Sequence, residues 1–227
     1  MAQRERFQTK NEIIKLASQM FLTQGYTESS TKKMAEKLNI SVGNLAYHFP
    51  TKEHLLAELT EKLCDYHLLV LEAEIDEGST SLLAYLLELT SMMAVCEENE
   101  VAKDLYTSVY KHSIPLTLMR KADTQKAKQI FAEYCPDWTE EDFTLTENAV
   151  SGIEYASLMK ENAQEIPLDK RIVKTLNVVM KAYNVPEDIR KQKIKKVLKI
   201  DYRKIGSQFI KGFSKYVETI NQQALKA

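Results

Sequence analysis

The chain has little of what interrupts or braces a polypeptide. Its 227 residues hold six Gly and five Pro, too few to punctuate a protein of many short strands, so long helices with short connections are the natural outcome. Three cysteines, Cys64, Cys96 and Cys135, make an odd count with no framework spacing. That argues against a disulfide scaffold and suits free thiols in a reducing compartment. No run of eighteen apolar residues occurs, so no membrane span and no membrane partner is expected. The opening MAQRERFQTK is polar and lacks the apolar stretch of a secretory signal, which makes a cytoplasmic location the expectation. Internal repeats and low-complexity segments are lacking. So are a nucleophile motif, a phosphate-cradling Gly loop and a telling His-Asp-Ser spacing. We therefore expect no enzyme and no cofactor. Cys64 and His67 share a helix face, but two ligands do not make a zinc site, and no metal is expected.

What is present is apolar substance and a partitioned charge. Apolar residues make up 44% of the chain, enough for a sizeable core, and the formal net charge is −1. That small sum hides a head, residues 1–55, at +3, a body, 56–168, at −14, and a tail, 169–227, at +10. Such asymmetry points to parts with different partners. The acidic body is open to two readings, a cationic ligand or carboxylates that simply solvate helix faces, and the second is the expectation.

Helical periodicity runs almost throughout, and no strand pattern competes. Thr9 followed by Glu12 reads as a capping box, ahead of Ile13, Ile14, Ala17, Met20 and Phe21 at helical spacing. Gly25 ends that helix. Ser29 or Ser30 caps the next, about 31–38, with Met34, Ala35 and Leu38 inward. Ser41 caps a third, about 42–48. Pro50 breaks the chain, and Thr51 caps a fourth helix that runs to about 75. Gly78 and Ser79 punctuate before helices near 80–97, 100–112, 115–134, 139–163, 168–183, 187–199 and 202–224. Thr139 marks the start of the 139 helix, with Glu140, Glu141 and Asp142 suited to the positive end of its dipole.

The second and third helices are joined only by Asn39, Ile40 and Ser41. So short a link forces a sharp crossing, the helix-turn-helix arrangement. Ile40 and Leu45 point inward. Val42, Gly43, Asn44, Ala46, Tyr47 and His48 are left facing outward. Asn reads an adenine edge with two hydrogen bonds, a Val methyl meets a thymine methyl, and Gly43 lets the backbone approach the bases. Thr31, Lys32, Lys33, Tyr47 and Lys52 are phosphate partners around them, Lys52 on the first turn of helix four where free N–H groups favour an anion. His48 is open to a second reading, as a cap or a packing group under Phe49. Arg4 and Arg6 either reach a minor groove as an arm or belong to a disordered tail.

Residues 13–56, IIKLASQMFLTQGYTESSTKKMAEKLNISVGNLAYHFPTKEHLL, resemble the TetR/AcrR family of bacterial transcriptional regulators. The first helix ends in Phe and is followed by Gly-Tyr. The recognition helix reads Ser-X-Gly-X-Leu-X-X-His-Phe, and Lys-Glu opens helix four. The family commonly has Tyr where this chain has Ala46, which removes one phosphate-contacting hydroxyl. The resemblance covers about a fifth of the chain. It implies an all-α homodimer with an N-terminal three-helix DNA-binding domain, residues 7–67 with the motif at 30–49, and a larger helical ligand-binding and dimerisation domain, residues 68–227. It implies a double-stranded DNA operator and a small-molecule effector that releases a repressor from it. The alternative is a helical ligand-binding protein or enzyme that does not bind DNA.

Within the larger domain, Met92, Met93, Tyr106, Tyr110, Phe131, Trp138, Tyr155 and Met159 are the expected pocket lining, since such sites are apolar with a few polar groups. The same residues at helical spacing also suit plain core. The dimer interface is expected on two helices, through Ala149, Gly152, Ile153 and Ala156 on the first and Ile172, Leu176, Val179 and Met180 on the second, paired as a four-helix bundle. Beyond Pro186, basic helices carry apolar stripes, Ile189, Ile194, Val197 and Leu198, then Ile205, Phe209, Phe213, Tyr216 and Ile220. Docking of this tail on the acidic body is the expectation, and a second nucleic-acid contact is its rival.

Overall fold

The computed structural model describes residues 2–76, 78, 81–159 and 166–224, with side chains from Arg6 to Gln223 within those ranges. Ser79, the segment 160–163 and the Arg4 side chain, all invoked above, lie outside the described residues. Every regular element among the described residues is helical: α1 (Ala2–Glu28), α2 (Thr31–Lys37), α3 (Val42–His48), α4 (Lys52–Glu74), α5 (Leu82–Glu98), α6 (Glu100–Lys111), α7 (Ser113–Phe131) with a 3-10 turn (Ala132–Tyr134), α8 (Glu140–Leu158), α9 (Leu168–Ala182), α10 (Glu187–Val197), α11 (Tyr202–Lys211) and α12 (Phe213–Ala224). No helix among the described residues is long and apolar enough to cross a membrane.

The helix starts follow local side-chain chemistry. Ser30, Ser41, Thr51 and Ser81 each accept a hydrogen bond from the backbone N–H three residues on, filling one of the donors a helix start leaves free. Thr139 and Asp142 form a reciprocal capping box. The capping box expected at Thr9 is not a helix start, because α1 already runs from Ala2 through it. Gly25 breaks α1 with φ +87°, and a Cβ there would lie 2.6 Å from the Asp104 carboxylate on α6. Only glycine satisfies both the left-handed backbone and that close approach.

α1, α2 and α3 enclose a small core of Ile13, Ala17, Phe21, Met34, Ala35, Leu45 and Phe49. The core runs without interruption into the rest of the molecule. α4 passes through the boundary expected at residues 67 and 68 as one unbroken helix. α1 packs along α6 as well as along α4.

The tail is part of this core. α10 and α11 pack on α5, and α12 on α1 and α4. Ile194, Val197, Ile205, Phe209, Phe213 and Val217 are buried. A Cβ on Gly206 would lie 2.4 Å from the Ser91 carbonyl, so α11 lies almost backbone-on-backbone against α5. Basic side chains then meet acidic ones: Arg203 pairs with Glu98, Lys204 with Glu74 at 2.9 Å and Arg171 of α9 with Glu97. The single helix expected over 202–224 is broken at Gly212, where a Cβ would fall on the Tyr66 hydroxyl.

Candidate functional sites: a nucleic-acid-reading head and a buried acidic cavity

α2 and α3 meet across Asn39, which takes φ 54°, a left-handed conformation Asn tolerates better than most residues. Leu45 is the one residue of α3 buried in the core. It fixes the rotation of the helix and turns the opposite face outward. Val42 is 50% exposed and Tyr47 63%, and Gly43 and Asn44 are also exposed. The Asn44 backbone is capped by Ser41 at 3.0 Å, which leaves its amide side chain facing solvent. Lys32 and Lys33 are exposed on α2, and Thr31 is half-buried.

The first turns of α1 extend this surface. The Arg6 guanidinium lies 4.9 Å over the Tyr47 ring, and an open groove is lined by Arg6, Phe7, Lys10, Tyr47 and His48. His48 lies edge-on to Tyr47 with centroids 5.3 Å apart. Partial burial and the nearby Arg6 and Lys10 charges lower its pKa, so its imidazole is neutral at pH 7. The sequence showed Arg6 only as part of an arm or a loose tail. Its helical continuity with α1 is what places it beside the recognition helix.

Lys52 departs from its expected role. Its ammonium donates to the carbonyls of Tyr26, Thr27 and Ser29 at 2.8, 3.4 and 3.0 Å and lies 4.0 Å over the Tyr26 ring. An ammonium has three protons, and three carbonyls take them. Lys52 therefore clamps the α1–α2 turn and is not free to hold a phosphate. The same turn is gripped from α6: Asp104 accepts from the Thr27 N–H at 2.8 Å and from its hydroxyl at 2.5 Å.

The second site is a cavity of about 60 Å³ walled by α4, α5, α6, α7 and α8. Leu63, Leu89, Met92, Val109 and Met119 give it an apolar lining, with Tyr85, Tyr106 and Tyr110 beside them. Of the expected pocket residues, Met92, Tyr106 and Tyr110 border this cavity. Met93, Tyr155 and Met159 border a separate open groove of about 790 Å³ beside α8 and α9. Phe131 and Trp138 border neither. Phe131 stacks on Tyr183 at 4.1 Å and is core, and Trp138, half-buried, packs edge-on against the buried Phe143 at the core's margin.

The expectation that the acidic body solvates helix faces fails at this cavity. Glu147 and Glu154 are buried, Glu88 is 14% exposed, and Asp123 lines the cavity wall. Glu88 is fully paired. It meets Lys126 and the His67 ring, whose other nitrogen meets the Tyr106 hydroxyl at 2.9 Å. Burial pushes the Glu88 carboxyl up, but Lys126 and His67 outweigh it and hold it down at about 2. Asp123, Glu147 and Glu154 lack such partners. Among the described residues none of them forms an ion pair, and their carboxylates lie within 4.8 Å of one another. Burial first, and then Glu147, push Asp123 up to about 8, and burial with both neighbours raises Glu154 well above the carboxylate range. A signal for this was present in the sequence. Glu147 and Glu154 occupy the same seven-residue stripe of α8 as the buried Phe143, Val150 and Leu158, so carboxylates stand at core positions.

On the dimer surface the structure divides the expected residues. Ile172, Leu176, Val179 and Met180 are all 0% exposed within this one chain. They are spent on the protomer's own core and face no partner. Ala149, Gly152 and Ala156 lie on the open face of α8, in line with the exposed Leu145, and a Cβ on Gly152 would meet nothing within 4 Å. Ile153 is half-buried.

Residues 13–59, which span the helix-turn-helix and the start of α4, match the model for bacterial regulatory proteins of the tetR family. The match makes residues 13–59 similar to the DNA-binding segment of that family. A 50-residue stretch is 38% identical to the HTH-type transcriptional regulator QacR of Staphylococcus aureus strain Mu50. That stretch is 22% of this chain, and the chain spans only 27% of the length of this curated relative. Solved structures with a similar outline include a gamma-butyrolactone receptor described as an ArpA-like protein, at 15% identity and TM-score 0.42, over 91% of this chain and 98% of that one. Another is the TetR family protein CprB from S. coelicolor A3(2), at 17% identity and TM-score 0.43, over 90% of this chain and 98% of that one. At such scores these likenesses carry no argument about ligand or assembly, and the likeness to the family rests on residues 13–59.

Proposed function

We propose that this chain is a ligand-responsive transcriptional repressor of the TetR family that acts in the cytoplasm as a homodimer on a double-stranded DNA operator. The observation that carries the reading is the exposed face of α3. Val42, Asn44 and Tyr47 stand in solvent on a helix fixed by a single buried Leu45 and flanked by Lys32, Lys33 and Arg6. Short polar and apolar side chains ringed by cations suit base edges ringed by phosphates. Val42, Gly43 and Asn44 are the base readers. Thr31, Lys32, Lys33, Tyr47 and Arg6 hold the backbone, and His48 supports Tyr47. The open α8 face of Leu145, Ala149, Gly152 and Ala156 is the surface for a second copy, whose matching recognition helix would meet the next half-site.

α6 is the link between effector and head. Its Tyr106 and Tyr110 wall the cavity, while its Asp104 holds the Thr27 N–H and hydroxyl at the α1–α2 turn. A molecule that enlarges a cavity of about 60 Å³ displaces α6, and with it the segment that aims α2 and α3. Selection from a random-sequence DNA pool, followed by a gel shift on the winner, tests the DNA-binding part. A two-fold symmetric site is expected, and failure to enrich any sequence would defeat the reading. Asp104→Ala tests the link: operator affinity should persist while effector-driven release weakens.

A further inference from the structure

The buried carboxylates define what kind of effector the cavity can take. We propose that the cavity between α4 and α8 binds an organic ammonium group, with its charge facing Asp123, Glu147 and Glu154 and its substituents against the tyrosine rings and apolar wall. This rests on the reading of the chain as a ligand-responsive regulator and specifies the effector's chemistry. Three observations converge. The three carboxylates lie within 4.8 Å of one another. Glu147 is 1% exposed, and its Oε1 is buried without a hydrogen-bond partner. Glu147 lies behind the cavity lining, and a buried acceptor left unmade is costly, a cost that positive charge arriving beside the neighbouring Asp123 and Glu154 lowers. The third observation is the wall itself, where Asp123 and Glu154 stand beside Tyr85, Tyr110, Met92 and Met119. Aromatic faces next to carboxylates suit an alkylated or aryl-bearing cation.

The protein's own cations offset the three acids only in part: Lys126 and Arg120 pull against burial at Asp123 and Glu147 without outweighing it. From α7, Lys126 is engaged by Glu88 of α5, and Arg120 donates to Ser151 at 2.9 Å. From α4, His67 is bonded to Glu88 and Tyr106, its pKa lowered by burial, and Cys64 stays a thiol, raised by burial. The remaining groups facing the acids are hydroxyls. Tyr85 of α5 and Tyr110 of α6 donate to the two oxygens of Glu154 at 3.1 and 3.4 Å, and Tyr183 beyond α9 donates to Glu147. With Lys126 and Arg120 engaged elsewhere, burial favours the protonated forms of Asp123 and Glu154 in the empty site, and a bound cation displaces those protons. A divalent metal fits less well. Calcium and magnesium want six or more oxygens, whereas both Glu154 oxygens already accept hydroxyls, Glu88 is taken by Lys126 and His67, and Asp123 is the one carboxylate of the lining left without a partner among the described residues.

The test is calorimetric titration of the full chain, without DNA, using benzyltrimethylammonium, whose charge does not change with pH. Benzyl alcohol is the neutral comparator, and MgCl2 and MnCl2 are separate arms. Each titration is run from pH 6 to 9 in two buffers of different ionisation enthalpy. Binding of the ammonium alone is expected, with proton release, tightening roughly tenfold per pH unit until Asp123 is ionised near 8. Asp123→Asn and Glu154→Gln should each weaken it tenfold or more and reduce the proton release. Melting curves check that both variants fold. Equal binding of benzyl alcohol, ammonium binding untouched by either variant, saturable metal binding in its place, or no ammonium heat at any pH would each overturn the proposal. A gel shift on the same preparation keeps the two readings apart. DNA binding without ammonium binding sinks this inference and spares the repressor, and ammonium binding without DNA binding does the reverse.

Discussion

At the recognition helix, Val42, Asn44 and Tyr47 point into solvent, and the charges around them, Lys32 and Lys33, are exposed and of one sign. At the cavity the arrangement is inverted. Glu147 and Glu154 are buried, Asp123 lines the wall beside them, and opposing charge is scarce. The head carries its charge where water screens it, so charge there costs little and awaits a polyanion. The cavity carries charge where desolvation penalises it, so the acids stay protonated until a cation arrives. A surface site can be read from which residues are polar. A buried site shows itself only by which polar residues lie where apolar ones belong.

The severest way to break this contrast is to remove the tail that holds both regions on one core. Deleting residues 187–227 removes Ile194, Val197, Ile205, Phe209, Phe213 and Val217, all buried. At roughly 1.5–3 kcal/mol each, their loss matches the whole stability of an ordinary domain. The truncated chain should show no cooperative thermal melt by circular dichroism. A sharp melt within a few degrees of the full chain would mean that the tail is an appendage.

Two lysines sharpen the head's side of the comparison. Lys52→Ala leaves three carbonyls of the α1–α2 turn without their cation and should cost about 1.5–3 kcal/mol in a urea titration, with the salt slope of DNA binding unchanged per folded molecule. Lys33→Ala should do the opposite, with stability intact and the slope of log K against log salt smaller by about two, one contact being lost from each protomer of the dimer. An exchange of the two phenotypes would restore Lys52 to the phosphates. Asn44→Ala should then cost roughly 1–3 kcal/mol on the selected operator and far less on random DNA. Competition binding on the two DNAs measures this, and equal losses would make Asn44 a backbone contact.

The smallest effect tests the cavity's side. Asp123 is held up to about 8 when folded against an ordinary 3.8, so the folded state keeps a proton the unfolded chain releases. Its contribution is complete at low pH and is lost as pH climbs from about 4 through about 8, and Glu154 shifts in the same direction. The melting temperature should fall by about 2–4 °C per kcal/mol lost between pH 6 and 9. Asp123→Asn should flatten that fall, and a wild-type curve that stays level or rises would show that the acids are ionised and paired.

The sequence alone determined the helical class, most helix starts and the reading face of α3. Each of these rests on residues within a turn or two of one another: Ser30, Ser41, Thr51 and Thr139 as caps, Gly25 as a stop, and Leu45 inward with Asn44 outward. Local hydrogen bonding and a 3.6-residue period suffice for them. The tail's docking was also legible, as opposite charge beside apolar stripes. Only the tertiary structure decided which apolar stripe faces inward, and so it moved Ile172, Leu176, Val179 and Met180 from a dimer surface into the protomer's core. It turned Lys52 from a phosphate to three carbonyls some twenty-five residues earlier in the chain. It also drew Asp123, Glu147 and Glu154 from α7 and α8 to within 4.8 Å of one another. Such meetings depend on how five helices cross, and no spacing along one helix encodes where another will lie against it.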